Sequence, residues 1–81
     1  DPKLDDPAIK RALMSQAFYI GALGSKRTHA MRVERLVADG FKPAQIDRIH
    51  GPIGLDIAAA SPSEIAVSIM AEMTRVLRQG Q

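Results

Sequence analysis

Polar and apolar positions change rhythm several times along this chain. In Asp5-Asp6-Pro7-Ala8-Ile9-Lys10-Arg11-Ala12-Leu13-Met14 the apolar residues Ile9, Ala12 and Leu13 recur three and four apart among charged neighbours, the spacing of one helix face. Asp6 fits the cap of that helix and Pro7 its first position, and the pattern ends near Ser15-Gln16. Ala17-Phe18-Tyr19-Ile20-Gly21-Ala22-Leu23-Gly24 is then a continuous apolar run with β-favouring residues at its start, which predicts a strand buried on both faces of a parallel sheet. Helical spacing returns over Lys26 to Gly40, where Ala30, Val33, Leu36 and Val37 share a face and Gly40 supplies the stop. Phe41 to Ile49 reads as a short helix entered at Pro43, with Ile46 and Ile49 facing inward. His50-Gly51-Pro52-Ile53-Gly54 interrupts regular structure, and Leu55-Asp56-Ile57-Ala58 is at most a short extended piece. Ser61-Pro62-Ser63-Glu64 opens the last helix as a capping box with proline at the first position. Ile65, Ala66, Ile69, Met73, Val76 and Leu77 form its expected apolar stripe, and Arg75 and Arg78 suit the dipole at its end.

The predicted order is therefore helix, strand, helix, short helix, loop, helix. One buried parallel strand needs neighbours for its backbone groups and helices over both faces. Either another chain completes the sheet, or these residues are the carboxyl part of a larger α/β domain. The second is the favoured expectation, and an opening Asp1-Pro2-Lys3 with no strand before the first helix agrees with it.

Composition narrows the class. The 81 residues are 46% hydrophobic and 25% charged, as in ordinary globular domains, and with only Phe18, Tyr19 and Phe41 as aromatics the core has to be aliphatic. A chain this short buries only about 60% of its unfolded surface, so its stability is thin. The absence of cysteine removes disulfides and thiolate metal sites, which argues against a small secreted scaffold. No apolar run approaches the ~20 residues of a membrane helix, and the amino terminus does not resemble a signal peptide. The expectation is a cytoplasmic, soluble chain without a membrane partner.

The net charge of +2 is small, but Lys26, Arg27, Arg32 and Arg35 stand against Glu34 alone, with His29 among them. Such a basic helix can face nucleic acid, a phosphorylated cofactor, an acidic partner or water. It lacks interleaved aromatics for base stacking, so no nucleic-acid partner is expected.

The densest candidate site is the turn from Ile20 to Thr28. Gly21 and Gly24 let backbone N–H groups approach an anion, Ser25 opens a helix whose N-terminus carries free donors, and Lys26 or Arg27 adds charge. The glycine spacing is neither that of a Walker loop nor that of the dinucleotide fingerprint. A close-packed strand-to-helix turn with Ser25 as cap and solvated cations is the competing reading. In the second segment, His50 and Asp56 beside the Gly51-Pro52-Ile53-Gly54 loop can serve as acid, base or hydrogen-bond partners, or as surface and capping groups. No nucleophile with an adjacent base is visible, His29, Glu34, Asp39 and His50 lack metal-ligand spacing, and Met14, Met31, Met70 and Met73 read as packing. No residue is assigned a catalytic role.

Four phrases taken together resemble a known family. They are the stretches from Asp1 to Pro7, from Tyr19 to Ala30, from Ile49 to Ile57 and from Pro62 to Glu72, in that order and across nearly the whole chain. The family is the XdhC/CoxI group, accessory factors of xanthine dehydrogenase and related molybdenum hydroxylases, and the likeness is to its carboxyl-terminal Rossmann-like domain. The resemblance implies an α/β chain, helix-rich here, in which residues 1–81 form a single, partial Rossmann-like domain whose first glycine-rich turn lies upstream. It further implies binding of molybdenum cofactor, protection of it while its terminal sulfur ligand is installed by a desulfurase, and delivery to the apo-hydroxylase. Gly21, Gly24, Ser25, Arg27 and Thr28 match the family phrase, and Lys26 keeps a charge where the family has arginine. These residues, with Gly51, Pro52 and Gly54 as a second wall, are the expected contacts for the phosphate side of the cofactor. Where the family has Asp-Ile-Gly-Ala, a basic residue and Thr-Pro, this chain has Asp56-Ile57-Ala58-Ala59-Ala60-Ser61-Pro62, without the glycine and the cation. Two other classes remain open: an NAD(P)-binding oxidoreductase module, and an assembly module in which the strand edge and the Ile65 to Leu77 helix hold a homo-oligomer or a partner enzyme.

Overall fold

In a computed structural model, whose described residues are 2–80, the chain forms α1 (Pro2–Leu13), β1 (Ile20–Gly21), α2 (Lys26–Ala38), α3 (Pro43–Ile46), β2 (Ile49–His50) and α4 (Pro62–Gln79). The two strands pair in parallel, Ile20 opposite Ile49 and Gly21 opposite His50. The ladder continues past them: the Ala22 N–H donates to the His50 carbonyl and the Ile53 N–H to the Ala22 carbonyl. The result is a small α/β unit with two parallel strands.

The second strand differs from what the sequence pattern predicts. That pattern puts Ile49 on the inward face of a short helix and His50 in a loop, but α3 stops at Ile46 after one turn. Ile49 is buried either way, so its hydrophobicity carries no information about helix or strand. The first strand is also shorter than the run from Ala17 to Gly24. Ile20 and Ala22 are buried whereas Phe18 and Leu23 are exposed, so the segment alternates instead of being covered on both faces.

The core is aliphatic, as composition requires. Ile9 and Leu13 of α1, Ile20 and Ala22 around β1, Leu36 of α2, Ile46 and Ile49 form one buried cluster, with Ala12, Val33 and Phe41 packed against it. Leu36 is its most deeply buried member, at 0% exposed. Helix α2 ends in a full C-terminal motif. Gly40 takes φ 93°, its N–H donates to the Val37 carbonyl, and the Phe41 N–H reaches the Leu36 carbonyl, which brings Phe41 onto the core.

Helix α1 departs from its expected start. It begins at Pro2, so Pro7 lies inside it, and Asp6 does not cap. Asp6 is instead buried against α2, where Arg35 grips it with two bonds, Nε to Oδ2 at 2.7 Å and Nη2 to Oδ1 at 3.2 Å. At the other end, Arg48 donates to the carbonyls of Leu13, Ser15 and Ala17 and so satisfies acceptors at the end of α1 and just beyond it. Met14, Met31 and Met70 are exposed, and of the four methionines only Met73 is even half-buried. Their reading as core packing therefore does not hold. No helix among the described residues is long and apolar enough to cross a membrane.

Helix α4 is positioned differently from the rest. Its capping box forms as the sequence predicts, with the Glu64 N–H on Ser61 Oγ and the Ser61 N–H on Glu64 Oε1. Its buried stripe, however, is Ser68, Glu72 and Val76, one residue every four. Ile65, Val67, Met70 and Leu77 are exposed. Ala66, Val67, Met70, Ala71 and Thr74 border a shallow apolar groove on the outer face.

Candidate functional site

Parallel strands end with their carboxyl termini on one side, and the loops that follow them open a crevice there. In this chain that crevice has a volume of about 330 Å³. Its walls are the turn after β1 (Leu23, Gly24), Lys26 in the first turn of α2, the segment from Pro52 to Ala59 after β2, and Ile65 and Ser68 of α4.

The sequence dictates the local form of the first wall. Gly24 takes φ 121°, a conformation open to glycine, and Thr28 packs against the place where a Cβ would stand. Ser25 is extended and caps α2: its Oγ accepts from the Thr28 N–H at 3.1 Å and lies 3.0 Å from Thr28 Oγ1. No acidic residue stands in the first turn of α2. The helix dipole and the leading amides therefore meet the cleft without a carboxylate of their own, with Lys26 at its rim. Lys26 Nζ approaches Asp56 Oδ2 at 3.9 Å across the mouth, both side chains being largely exposed. Arg27 is exposed beside it.

The second helix terminus at this cleft is already filled. Glu64 Oε1 accepts the N–H groups of Ala60 and Ser61, and these bonds lower its carboxyl pKa. Anion-accepting capacity is thus concentrated at α2.

Two buried polar groups hold the walls from behind. Arg32 is 4% exposed; its Nη2 donates to the Leu23 carbonyl at 3.0 Å and its Nη1 to His29 Nδ1 at 3.2 Å, while Nε has no partner among the described residues. A guanidinium cannot accept, so Nδ1 of His29 is unprotonated, and burial followed by the Arg32 charge lowers the histidine pKa. The His29 ring fills the space a side chain at Gly51 would need, next to the cis Gly51-Pro52 bond. On the far side Glu72 receives the Tyr19 hydroxyl at 2.6 Å and the Gly54 N–H at 2.9 Å, with His50 Nδ1 at 3.4 Å. Tyr19 stacks on His50 with centroids 4.9 Å apart.

The expected site residues separate accordingly. Gly24, Lys26, Pro52 and Gly54 line the cleft together, and Ser25 and Thr28 shape its first turn. Gly21 does not line it; the Ile53 side chain lies over its Cα, and Gly21 faces a different groove with Asp5 and Arg32. Gly51 acts through close approach to His29 instead of lining the cleft. His50, at the end of β2, stacks on Tyr19 with its Nδ1 3.4 Å from Glu72 Oε2, and Asp56 is a rim carboxylate. Sequence reasoning misses Arg32 and Glu72, although a lone carboxylate inside the stripe from Ile65 to Leu77, four residues after Ser68, marks the second position. Among the described residues no three His, Cys, Asp or Glu side chains converge as a metal site.

Comparison with known proteins gives a consistent neighbourhood. Residues 1–73 match the family model described as XdhC Rossmann domain. The chain is 34% identical over 70 residues to the molybdenum cofactor insertion chaperone PaoD of Escherichia coli K12, covering 86% of this chain and 22% of that protein. It is 39% identical over 75 residues to a probable xanthine dehydrogenase subunit of Bacillus subtilis 168, covering 91% of this chain and 21% of that protein. An uncharacterized Escherichia coli protein, YqeB, is 32% identical over 72 residues, which is 89% of this chain and 13% of its own length. The chain thus spans less than a quarter of each of these relatives.

Proposed function

This chain belongs to the XdhC Rossmann-domain family, and on that premise we propose that it is the cofactor-binding part of a maturation factor for a molybdenum hydroxylase of the xanthine dehydrogenase type. The observation that supports the reading is the cleft itself: a crevice past parallel strand ends, with an acid-free helix N-terminus and Lys26 on one side and apolar Leu23, Pro52, Ile53 and Ile57 on the others. That donor set fits the terminal phosphate of molybdopterin, and the apolar walls fit a flat ring system. The pterin carries its metal on its own sulfurs, so the fit asks no metal ligand of this chain.

In this reading Gly24, Ser25, Lys26, Arg27 and Thr28 hold the phosphate, and the Gly51-Pro52-Ile53-Gly54 segment forms the opposite wall, Gly51 setting its backbone approach to His29. When bound, the cofactor supplies the oxidation-reduction chemistry of the enzyme that receives it. The chain binds, orients and shields it without a chemical step of its own. The apo-hydroxylase is the partner, a desulfurase the source of the terminal sulfur ligand, and the cytoplasm the compartment. The exposed apolar face of α4 favours assembly, either with the enzyme or as a homo-oligomer, and sedimentation at several concentrations checks the latter.

The test is thermal unfolding of the chain with molybdopterin-type cofactor, with NAD(P) and with inorganic phosphate. A ligand bound only by the folded state adds about 2.7 kcal/mol at 100 times its Kd. Stabilisation by the cofactor beyond that given by phosphate, and weaker in Arg27→Ala, is the expected result. Stabilisation by NAD(P) alone would replace this reading by the dinucleotide one, and none by any ligand would remove both.

A further inference from the structure

Glu72 is a carboxylate where the hydrophobic pattern of α4 calls for an apolar residue, and it is 6% exposed. Burying a carboxylate costs several kcal/mol unless its oxygens are used, and here they are. A single oxygen, Oε1, takes both the Tyr19 hydroxyl before β1 and the Gly54 N–H after β2. The other, Oε2, faces His50 at the end of β2 and, at 3.8 Å, Arg75 one turn along α4. One side chain thus ties α4 to both strands and to the loop that walls the cleft.

The attachment point has no slack. Gly54 takes φ 98°, and Ser68 of α4 occupies the space where its Cβ would stand. The next residue, Leu55, donates its N–H to the Ser68 carbonyl at 3.1 Å. Pro52, Ile53, Gly54 and Leu55 all line the cleft, yet none of the aliphatic core cluster lies on α4. On the strand side the wall is held by the Ile53 N–H on the Ala22 carbonyl and by the Ile53 side chain over Gly21, whereas at Gly54 and Leu55 its ties to α4 are hydrogen bonds.

We infer that Glu72 is a positioning residue: through Gly54 and Tyr19 it sets the distance between the Pro52–Leu55 wall and the N-terminus of α2, and so the affinity of the cleft for its phosphate-bearing ligand. The affinity clause rests on the function proposed above; the positioning does not. Glu72 does not touch the cleft and acts only through the backbone it holds.

Amide hydrogen exchange on the whole chain tests it with no ligand present. In Glu72→Ala, exchange at Gly54 is expected to rise about tenfold or more, the factor carried by a lost hydrogen bond to a charged group, and exchange at Leu55 to rise with it as the wall loosens, while amides of α2 from Val33 to Leu36 change little. Where that variant does not fold, Glu72→Gln keeps an acceptor at the Oε1 position without the charge, and about a fivefold rise at the Gly54 amide is expected. Unchanged exchange at Gly54, or an equal rise at every amide, overturns the inference, the second because Glu72 would then be a general stabiliser. The Kd for molybdopterin-type cofactor is read in parallel. If the parent binds and Glu72→Ala binds equally well, the inference fails; if the parent does not bind, the proposed function fails while exchange still decides whether Glu72 positions the wall.

Discussion

The side of the molecule where α1, α2, α3 and the strands meet is assembled from Ile9, Leu13, Ile20, Leu36, Ile46 and Ile49. The side where α4 meets the loop after β2 is assembled from a carboxylate, a phenol, a backbone amide and a serine. Apolar contacts are non-directional and tolerate small shifts, whereas hydrogen bonds to a buried carboxylate fix atoms to within tenths of an ångström and lose their value when displaced. The first kind suits a scaffold. The second suits a cleft wall whose position has to be set, and it makes that wall sensitive to protonation of Glu72 and ionisation of Tyr19.

The largest expected effect breaks the scaffold. Leu36→Ala removes the one side chain among the described residues with no exposure and should cost about 3 kcal/mol, within the range of roughly 2–5 usual for such truncations. Domains of this size keep only about 4–12 kcal/mol in all, at about 0.05–0.15 per residue, so a large share of the stability goes. Urea denaturation should show the loss as a single cooperative transition in both halves. A loss confined to α4 and its loop would reverse the assignment of roles.

A pH series separates the two regions more gently. Asp6 and Glu72 both have carboxyl pKa values lowered in the folded state, Asp6 chiefly by its bond from Arg35, and Glu72 by Tyr19 and Gly54 against the opposing pull of burial. Each stabilises the fold above its unfolded value, near 3.8 and 4.5, and that contribution disappears as pH falls through the folded value. His29 is also lowered, by burial and by Arg32, so its share is complete above 6.5 and is lost on acidification below that. Tyr19 runs the other way: burial and the Glu72 carboxylate raise its pKa, so its contribution is complete below 10 and is lost as pH climbs beyond it. The denaturation midpoint should therefore be flat between about 6.5 and 10 and fall on both sides. Only the α4 side has a raised phenol, so Tyr19→Phe should flatten the alkaline arm and, because the Tyr19 hydroxyl also helps to lower the Glu72 carboxyl, shrink the Glu72 share of the acid arm while leaving those of Asp6 and His29 in place.

This division explains how much is legible in the sequence. The capping box at Ser61 and Glu64, the stop at Gly40 and the cap at Ser25 are local chemistry, and each forms where its residues predict it. Leu36 and Ile9 announce themselves by helical spacing. Ile49 does not declare its element, because a buried isoleucine suits a turn of helix and a strand of two residues equally. The stripe of α4 misleads for a deeper reason: an apolar pattern reports which face is hydrophobic, not which face is covered. Ser68 and Glu72 are buried because Tyr19 and Gly54 come to meet them from distant parts of the chain. No spacing within α4 encodes that.

Ala58 sharpens the contrast on the wall itself. It is the only non-glycine among the described residues with positive φ, at 60°. The left-handed region costs an L-residue about 1–2 kcal/mol, and glycine gives back about 0.5–1 in chain entropy. Ala58→Gly should therefore stabilise by about 0.5–1 kcal/mol, read as a raised melting temperature. Destabilisation would mean that the Ala58 methyl contributes more to the wall than its backbone costs.

The smallest effect on stability falls at the rim. Lys26 and Asp56 lie 3.9 Å apart with both side chains more than four-fifths exposed, so solvent screens the pair and Asp56→Asn should change stability by less than about 0.5 kcal/mol. Its effect on binding is expected to be larger than its effect on folding. Among the described residues Asp56 is the one carboxylate on the cleft lining, and it competes with an incoming phosphate for the Lys26 ammonium. Neutralising it removes both the competition and a repulsion, so phosphate and molybdopterin-type cofactor should bind several-fold tighter at low salt, the gain fading as ionic strength shortens the screening length. Titration calorimetry of parent and variant at two salt concentrations reads this directly. Equal affinities at low salt would mean that the anion does not sit beside Lys26, and the phosphate would then have to be sought at Arg27, the next residue of the same helix turn.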